Sequence, residues 1–349
     1  MAQINKPSLH FNTNLYTGND ADNRGITGIG FRPDWVWIKK RNATAGGVIN
    51  DVVRGAGKVI YVSESNAEAT ETASFVSFDS DGYTISQDAG VGLNVNNDTY
   101  VGWNWKAGNS QGSSNTDGSI NTTYTSVNTT AGFSISKYTG TGANATIGHG
   151  LGVAPKMIIF KNTNSTRDWN VYHASIQPGT PNAYLTLNQN YAKEAGYNFS
   201  NATAPTTSVF SVGNMNGNNG SGQEYIAYCF ADVKGYSKFG GFTGNGNADG
   251  PFIYTGFKPA FFLMKEVTDT GTNWVMYDNK RNTGNAVDKV IYPNLTNAEG
   301  TGLDFDFLSN GIKCRNNNGG INGNTNTYIY MAFAESALVG TNNIPGVAR

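Results

Sequence analysis

Few side chains in this 349-residue sequence are of a type and spacing that could do chemistry. His149, His173 and Asp168 could ligate a metal if a strand pair brought them together, but their separation matches no ligand spacing. His149 reads instead as a turn residue between two glycines, and His173 as a partly exposed strand residue. Asp79, Asp81, Asp304 and Asp306 could supply the carboxylate pair that a glycan hydrolase needs across a groove. Within DSDG and DFDF they read as solvated edge acids. DSDG could also suggest a calcium turn, yet it lacks the longer loop and terminal Glu of an EF-hand. Cys229 and Cys314 have no zinc spacing and are too few for a disulfide framework, so Cys229 reads as an inert filler. The Gly-containing strings are too repetitive for a lone match to a nucleophile elbow, Walker loop or dinucleotide fingerprint to mean anything. The expectation is a non-enzymatic protein with no catalytic, cofactor-binding or metal-binding residues.

The elements that hold these residues repeat. YTG at Tyr16–Gly18 is followed by FRPDWVWIKK, YTG at Tyr138–Gly140 by VAPKMIIFKN, and FTG at Phe242–Gly244 by FKPAFFLMKE. From Thr17 to Pro33, Thr139 to Pro155 and Thr243 to Pro259 the interval is 16 residues each time. An aromatic strand closes each copy, YVGWNW from Tyr100, YIAYCF from Tyr225 and YIYMAF from Tyr328. Such self-similarity marks repeated structural units. The reading is an N-terminal arm 1–8, modules 9–107, 117–234 and 235–336, a flexible linker 108–116, and a C-terminal tail 337–349. One charge recurs, since Lys39, Lys161 and Lys265 each stand six residues after the proline. Each is expected to lay its stem on the sheet and hold its ammonium in water at the strand end.

In the closing strands, Val101, Trp103 and Trp105, with Ile226, Tyr228, Phe230 and Ile329, Met331, Phe333, form a period-two apolar face that belongs over a core. The opposite face, headed by Tyr100, Tyr225 and Tyr328, is smaller and mixed. The strand after each proline is apolar on both faces, with the proline expected at the strand entrance. Trp169 and Trp274 mark a further strand, which the first copy replaces with the weaker GGVINDVV. Gly, Asn and Thr interrupt every candidate helix. The fold class is all-β, three tandem homologous antiparallel β-sandwich or barrel modules of about 100 residues.

Composition excludes other classes. The formal charge is −1 with 14% charged residues, which opposes nucleic-acid binding. Gly numbers 44 and Asn 46, residues that turn the chain at low steric cost. MAQINKPSLHF lacks the regions of a signal peptide, and no apolar run is long enough to span a bilayer, so neither secretion nor membrane insertion is expected.

The segment Asn115–His173, with EYIAYCFADVKGYSKFG from Glu224, resembles a module of tail-fibre and other virion structural proteins of tailed bacteriophages, especially marine and cyanobacterial ones. That resemblance implies a lectin-like β-sandwich, a location on the virion's external surface, and other virion proteins as partners. It implies a structural component, a tail fibre or tail tip first and a capsid decoration or head fibre second. A host-glycan-binding adhesin is the rival of another class, and a glycan hydrolase stands last. A homo-oligomer is expected, a trimer or a multimer on a symmetric shell, with Tyr100, Tyr225 and Tyr328 buried between neighbours. Three modules forming a pseudo-threefold monomer is the alternative. The tail 337–349 is expected to help attachment by burying Leu338, Val339 and Ile344.

Overall fold

The computed structural model describes residues 2–87, 90–177 and 182–339, and over these the chain is all-β, built of several antiparallel sheets. Among the described residues helix is confined to the turn Gly319–Asn322 and the 3-10 turns Pro7–Leu9 and Ala174–Ile176.

The first stretch carries β1 (Phe11–Thr17), β2 (Arg24–Ile26), β3 (Trp35–Lys40), β4 (Val48–Asp51), β5 (Lys58–Tyr61), β6 (Ala69–Thr70), β7 (Phe75–Asp79), β8 (Gly82–Ile85) and β9 (Thr99–Trp105). The second carries β10 (Tyr124–Asn128), β11 (Phe133–Thr139), β12 (Ala145–Gly148), β13 (Met157–Asn162), β14 (Asn170–His173), β15 (Leu185–Thr186), β16 (Val209–Val212) and β17 (Glu224–Phe230). The third carries β18 (Ser237–Thr243), β19 (Phe252–Tyr254), β20 (Phe257–Glu266), β21 (Val275–Asp278), β22 (Phe305–Leu308), β23 (Gly311–Cys314) and β24 (Thr327–Ala337). Three large sheets contain the orders β1-β9-β3-β4, β11-β17-β13-β14 and β18-β24-β20-β21. Three small sheets, β2-β8-β7, β12-β16 and β19-β23-β22, accompany them. Register agrees as well as order, with Trp35 opposite Trp105, Met157 opposite Phe230 and Phe261 opposite Phe333.

Side chains alternate across a strand, so each closing strand serves two cores. Trp103 and Trp105, Tyr228 and Phe230, and Met331 and Phe333 enter a single core shared by all three large sheets. Ring contacts cross it, with Trp35 to Tyr228 at 4.9 Å, Trp105 to Phe261 at 5.6 Å and Phe230 to Phe333 at 6.2 Å between centroids. Each such fully buried side chain contributes roughly 1.5–3 kcal/mol. The opposite faces fill separate cores against the small sheets, around Tyr100, Tyr225 and Tyr328. These tyrosines are 1%, 0% and 0% exposed, which corrects the expectation that they lie free for a neighbouring subunit. The alternation revealed two faces but not that the small sheets cover the second one.

The stretches grip one another in a closed ring. Glu299 N donates to Arg41 O at 2.8 Å, Glu68 N to Thr163 O at 3.0 Å, and Lys193 N to Val267 O at 3.0 Å. Thus the end of each proline strand meets the stretch before it in the cycle.

Other expectations are corrected locally. Pro33 and Pro155 precede their strands, whereas Pro259 lies inside β20 at a register shift, where a bulge excuses the missing N–H. The N-terminal arm is docked, with Ile4 in the shared core and its N–H on Lys234 O at 3.1 Å. Residues 108–116, read as a flexible linker, are bonded to loops of the first stretch, Asn109 N reaching Asp34 Oδ2 at 2.9 Å and Gln111 Nε2 reaching Val53 O at 2.8 Å. Of the tail, Val339 is exposed and its carbonyl accepts from Gln3 at 2.6 Å. Residues 340–349, including Ile344, lie outside the described residues.

Candidate functional site

The side chains singled out for chemistry are dispersed. His149 follows β12 in a small sheet, with Nδ1 accepting from Leu151 N at 3.1 Å and Nε2 against Thr206 O at 3.2 Å. His173 ends β14 in a large sheet and is fully buried, which corrects the partly exposed reading. Its Nδ1 accepts from Ser175 N at 3.1 Å, so Nε2 carries the hydrogen and donates to Tyr330 O at 3.1 Å. Asp168 belongs elsewhere again, accepting from Asn188 Nδ2 at 2.6 Å and Gln189 Nε2 at 3.3 Å. Among the described residues no group of three or more His, Cys, Asp or Glu is placed to hold a metal.

The acids of DSDG and DFDF hold their own hairpins and a neighbouring loop. Asp81 accepts from the backbone N–H groups of Gly28 at 3.0 Å and Gly30 at 2.6 Å, and Asp79 from Ser77 and Thr84, both at 2.7 Å. Asp306 pairs with Arg315 at 2.5 Å. Cys229 is enclosed in the second stretch's own core, and burial pushes its thiol far up, away from the nucleophilic thiolate.

The recurring lysines correct a further expectation. Their ammonium groups do not reach water; Lys39, Lys161 and Lys265 are all buried. Lys161 donates to Ser65 O at 2.8 Å and Arg167 O at 2.6 Å, Lys39 to Ala45 O and to Leu295 O at 3.0 Å, and Lys265 to Glu266 O at 2.5 Å and Thr272 Oγ1 at 2.9 Å. Burial lowers each to about 8. Two of the three bind carbonyls of another stretch, so they clamp the ring rather than contact a ligand.

The arrangement best suited to a ligand is a cleft of about 450 Å³ over β14 and β15, within the range of small-molecule sites. Asn170 and Thr186 rise from paired strands, and Tyr184 bridges to Glu194. The Tyr184 hydroxyl donates to Glu194 Oε2 at 3.0 Å, and burial with that carboxylate pushes the phenol well up. Asp168 and Arg167 stand on one wall, and the rim carries Tyr191 and Tyr197, 42% and 62% exposed. The Oδ1 of Asn170 is buried and has no hydrogen-bond partner among the described residues. Gly217 closes directly on it, since a Cβ there would lie 2.1 Å from that oxygen.

The only cleft residue weighed from sequence was Asp168, and as part of a metal site. The others escaped because Tyr184 and Glu194 join across a loop whose register no local pattern reveals. A family model described as Domain of unknown function (DUF7483) matches residues 6–337. No curated protein and no solved structure matches the chain.

Proposed function

We propose that this chain, which belongs to the DUF7483 family, is a non-enzymatic structural component of a bacteriophage virion, built as three like modules closed about one core. The modules are 9–107, 117–234 and 235–336, in line with the recurring strand orders and registers. The observation that carries the reading is the shared core, in which the three large sheets meet face to face while backbone bonds link the stretches in a cycle. A single chain of this kind presents the symmetry of a trimer, a form suited to the axis of a tail fibre or tail tip. The family match runs through all three modules, which fits one inseparable unit. Capsid decoration or head fibre is the second placement.

The aromatic rows that motivated a homo-oligomer are satisfied within the chain, so the pseudo-threefold monomer is the assembly unit proposed. Light scattering then gives 37.3 kDa for the free protein, and a trimer would overturn that part. Electron microscopy of purified particles tests the location. Density for three equivalent lobes per copy at a tail or capsid axis is the expected result, and absence of the protein from particles would overturn the virion reading. The adhesin reading has its own support in the cleft over β14 and β15. Release of reducing ends from a host polysaccharide by the purified protein would refute a non-enzymatic role.

A further inference from the structure

We infer that the cleft over β14 and β15 binds a neutral hexopyranose unit, through Tyr184, Tyr191 and Tyr197 and the carboxylates of Asp168 and Glu194. The inference rests on the three-module reading through the alignment of registers, and it is independent of where the protein resides. Asn170 lies opposite Phe160 as Val48 lies opposite Ile38 and Val275 opposite Met264. Tyr184 pairs with Glu194 as Val59 pairs with Ala69 and Val290 with Gly300. Thr186 lies opposite Asn170 as Tyr61 lies opposite Val48. One face that is apolar or aromatic in two modules is therefore polar in the middle one. Folding does not require that change, because the other two modules build the same sheet without it.

The cavities follow the substitution. The corresponding cleft of the third module holds about 230 Å³ and is lined by Val275, Tyr292 and Leu303, about half the volume of the middle one. The middle module has thus acquired space, carboxylates, amides and exposed phenol rings at one place.

The combination selects the ligand class. A pyranose has an apolar C–H face, which lies on a tyrosine ring, and a rim of hydroxyls, which donate to carboxylate and amide oxygens. The Oδ1 of Asn170 is enclosed beneath Gly217, so the hydroxyls are left to the carboxylates of Asp168 and Glu194. An anion would face Asp168 and Glu194, which the one Arg167 does not offset, and a bare cation would leave the three phenol rings without a role. A neutral polyhydroxylated ring uses both the carboxylates and the rings.

The test uses the full chain and the methyl glycosides of glucose, galactose, mannose and N-acetylglucosamine, with saturation-transfer NMR as the readout. Saturation of ring C–H protons of at least one sugar is expected. Tyr197→Ala, at an exposed rim position, and Tyr184→Val with Glu194→Ala, which reproduces the Val59–Ala69 pair, each weaken it by at least about tenfold. No saturation from any of the four sugars, or saturation that survives Tyr197→Ala and the double variant alike, overturns the inference. Either result leaves the particle location open to its own test, and a failed particle location leaves sugar binding untouched.

Discussion

The hydroxyl of Tyr228 donates a 2.8 Å hydrogen bond to Oδ2 of Asp51, 177 positions earlier in the chain. Trp103 Nε1 makes the matching bond to Asp278 Oδ2 at 3.0 Å. In both cases an arginine three residues on also grips the acid, Arg54 at 2.5 Å and Arg281 at 2.6 Å. The third occurrence differs in every partner. His173 holds the register position of the two aspartates, Ile176 that of the arginines, and Met331 that of the donor. Methionine donates no hydrogen bond, so a carboxylate there would be buried with the Ser175 N–H as its donor but no counter-charge. A neutral imidazole, donating to Tyr330 O, fits instead.

This relationship predicts an asymmetry. Tyr228→Phe removes one bond from an acid that Arg54 still neutralises, at a cost of about 1.5–3 kcal/mol. His173→Asp leaves a buried unpaired charge and costs more, about 3–5 kcal/mol. Urea denaturation at neutral pH measures both. A His173→Asp protein as stable as the parent would refute the account.

Trp37 and Gly47 form a second compensating pair. Gly47 precedes β4 as Trp169 precedes β14 and Trp274 precedes β21, and a Cβ at Gly47 would lie 2.9 Å from Trp37 Nε1. The indole of Trp37 therefore closes the space that the later tryptophans leave to glycine in the first stretch. Gly47→Trp alone should destabilise severely, while adding Trp37→Ile, which reproduces the Ile159 and Trp169 combination, should restore stability. A coupling above about 1 kcal/mol in a double-mutant cycle is expected.

The buried lysines give an alkaline signature. Folding lowers Lys39, Lys161 and Lys265 from 10.5 to about 8, so between those values the unfolded chain binds more protons. Stability then rises with pH from about 8 to 10.5. Tyr172 and Tyr330 work in the opposite sense, since burial raises them from 10.0 to about 12 and the unfolded phenols ionise first above pH 10. A stability maximum near pH 10 is expected from urea midpoints. In Lys161→Met the rise should shrink by about one third, and an unchanged rise would exclude that lysine as a source.

The second-face tyrosines share one hydrogen-bond pattern. Tyr100 donates to Gly92 O and accepts from Val95 N, Tyr225 donates to Asn216 O and accepts from Gly220 N, and Tyr328 donates to Gly319 O and accepts from Gly323 N. Each also stacks on a ring of the neighbouring strand, Tyr16, Tyr138 or Phe242. Replacing any of the three by Phe keeps the ring and leaves an N–H unsatisfied, at about 1–3 kcal/mol. Thermal unfolding should show similar losses at all three positions, and a neutral substitution at any of them would break the equivalence.

Local pattern made the all-β character legible. The alternation in YVGWNW, YIAYCF and YIYMAF emerges as paired antiparallel strands. These are local or periodic properties, set by the two-residue period of a strand and the chemistry of its turns. What covers each face was decided only by tertiary structure. A buried strand looks the same in sequence whether its partner is its own small sheet or a sheet more than a hundred residues away, so the shared core, the inward tyrosines and the buried lysines were not legible. The cleft was hidden for the same reason. Asn170, Tyr184 and Glu194 are unremarkable polar residues until register sets them against Val48, Val59 and Ala69, and register between distant strands is fixed by long-range packing rather than by local pattern.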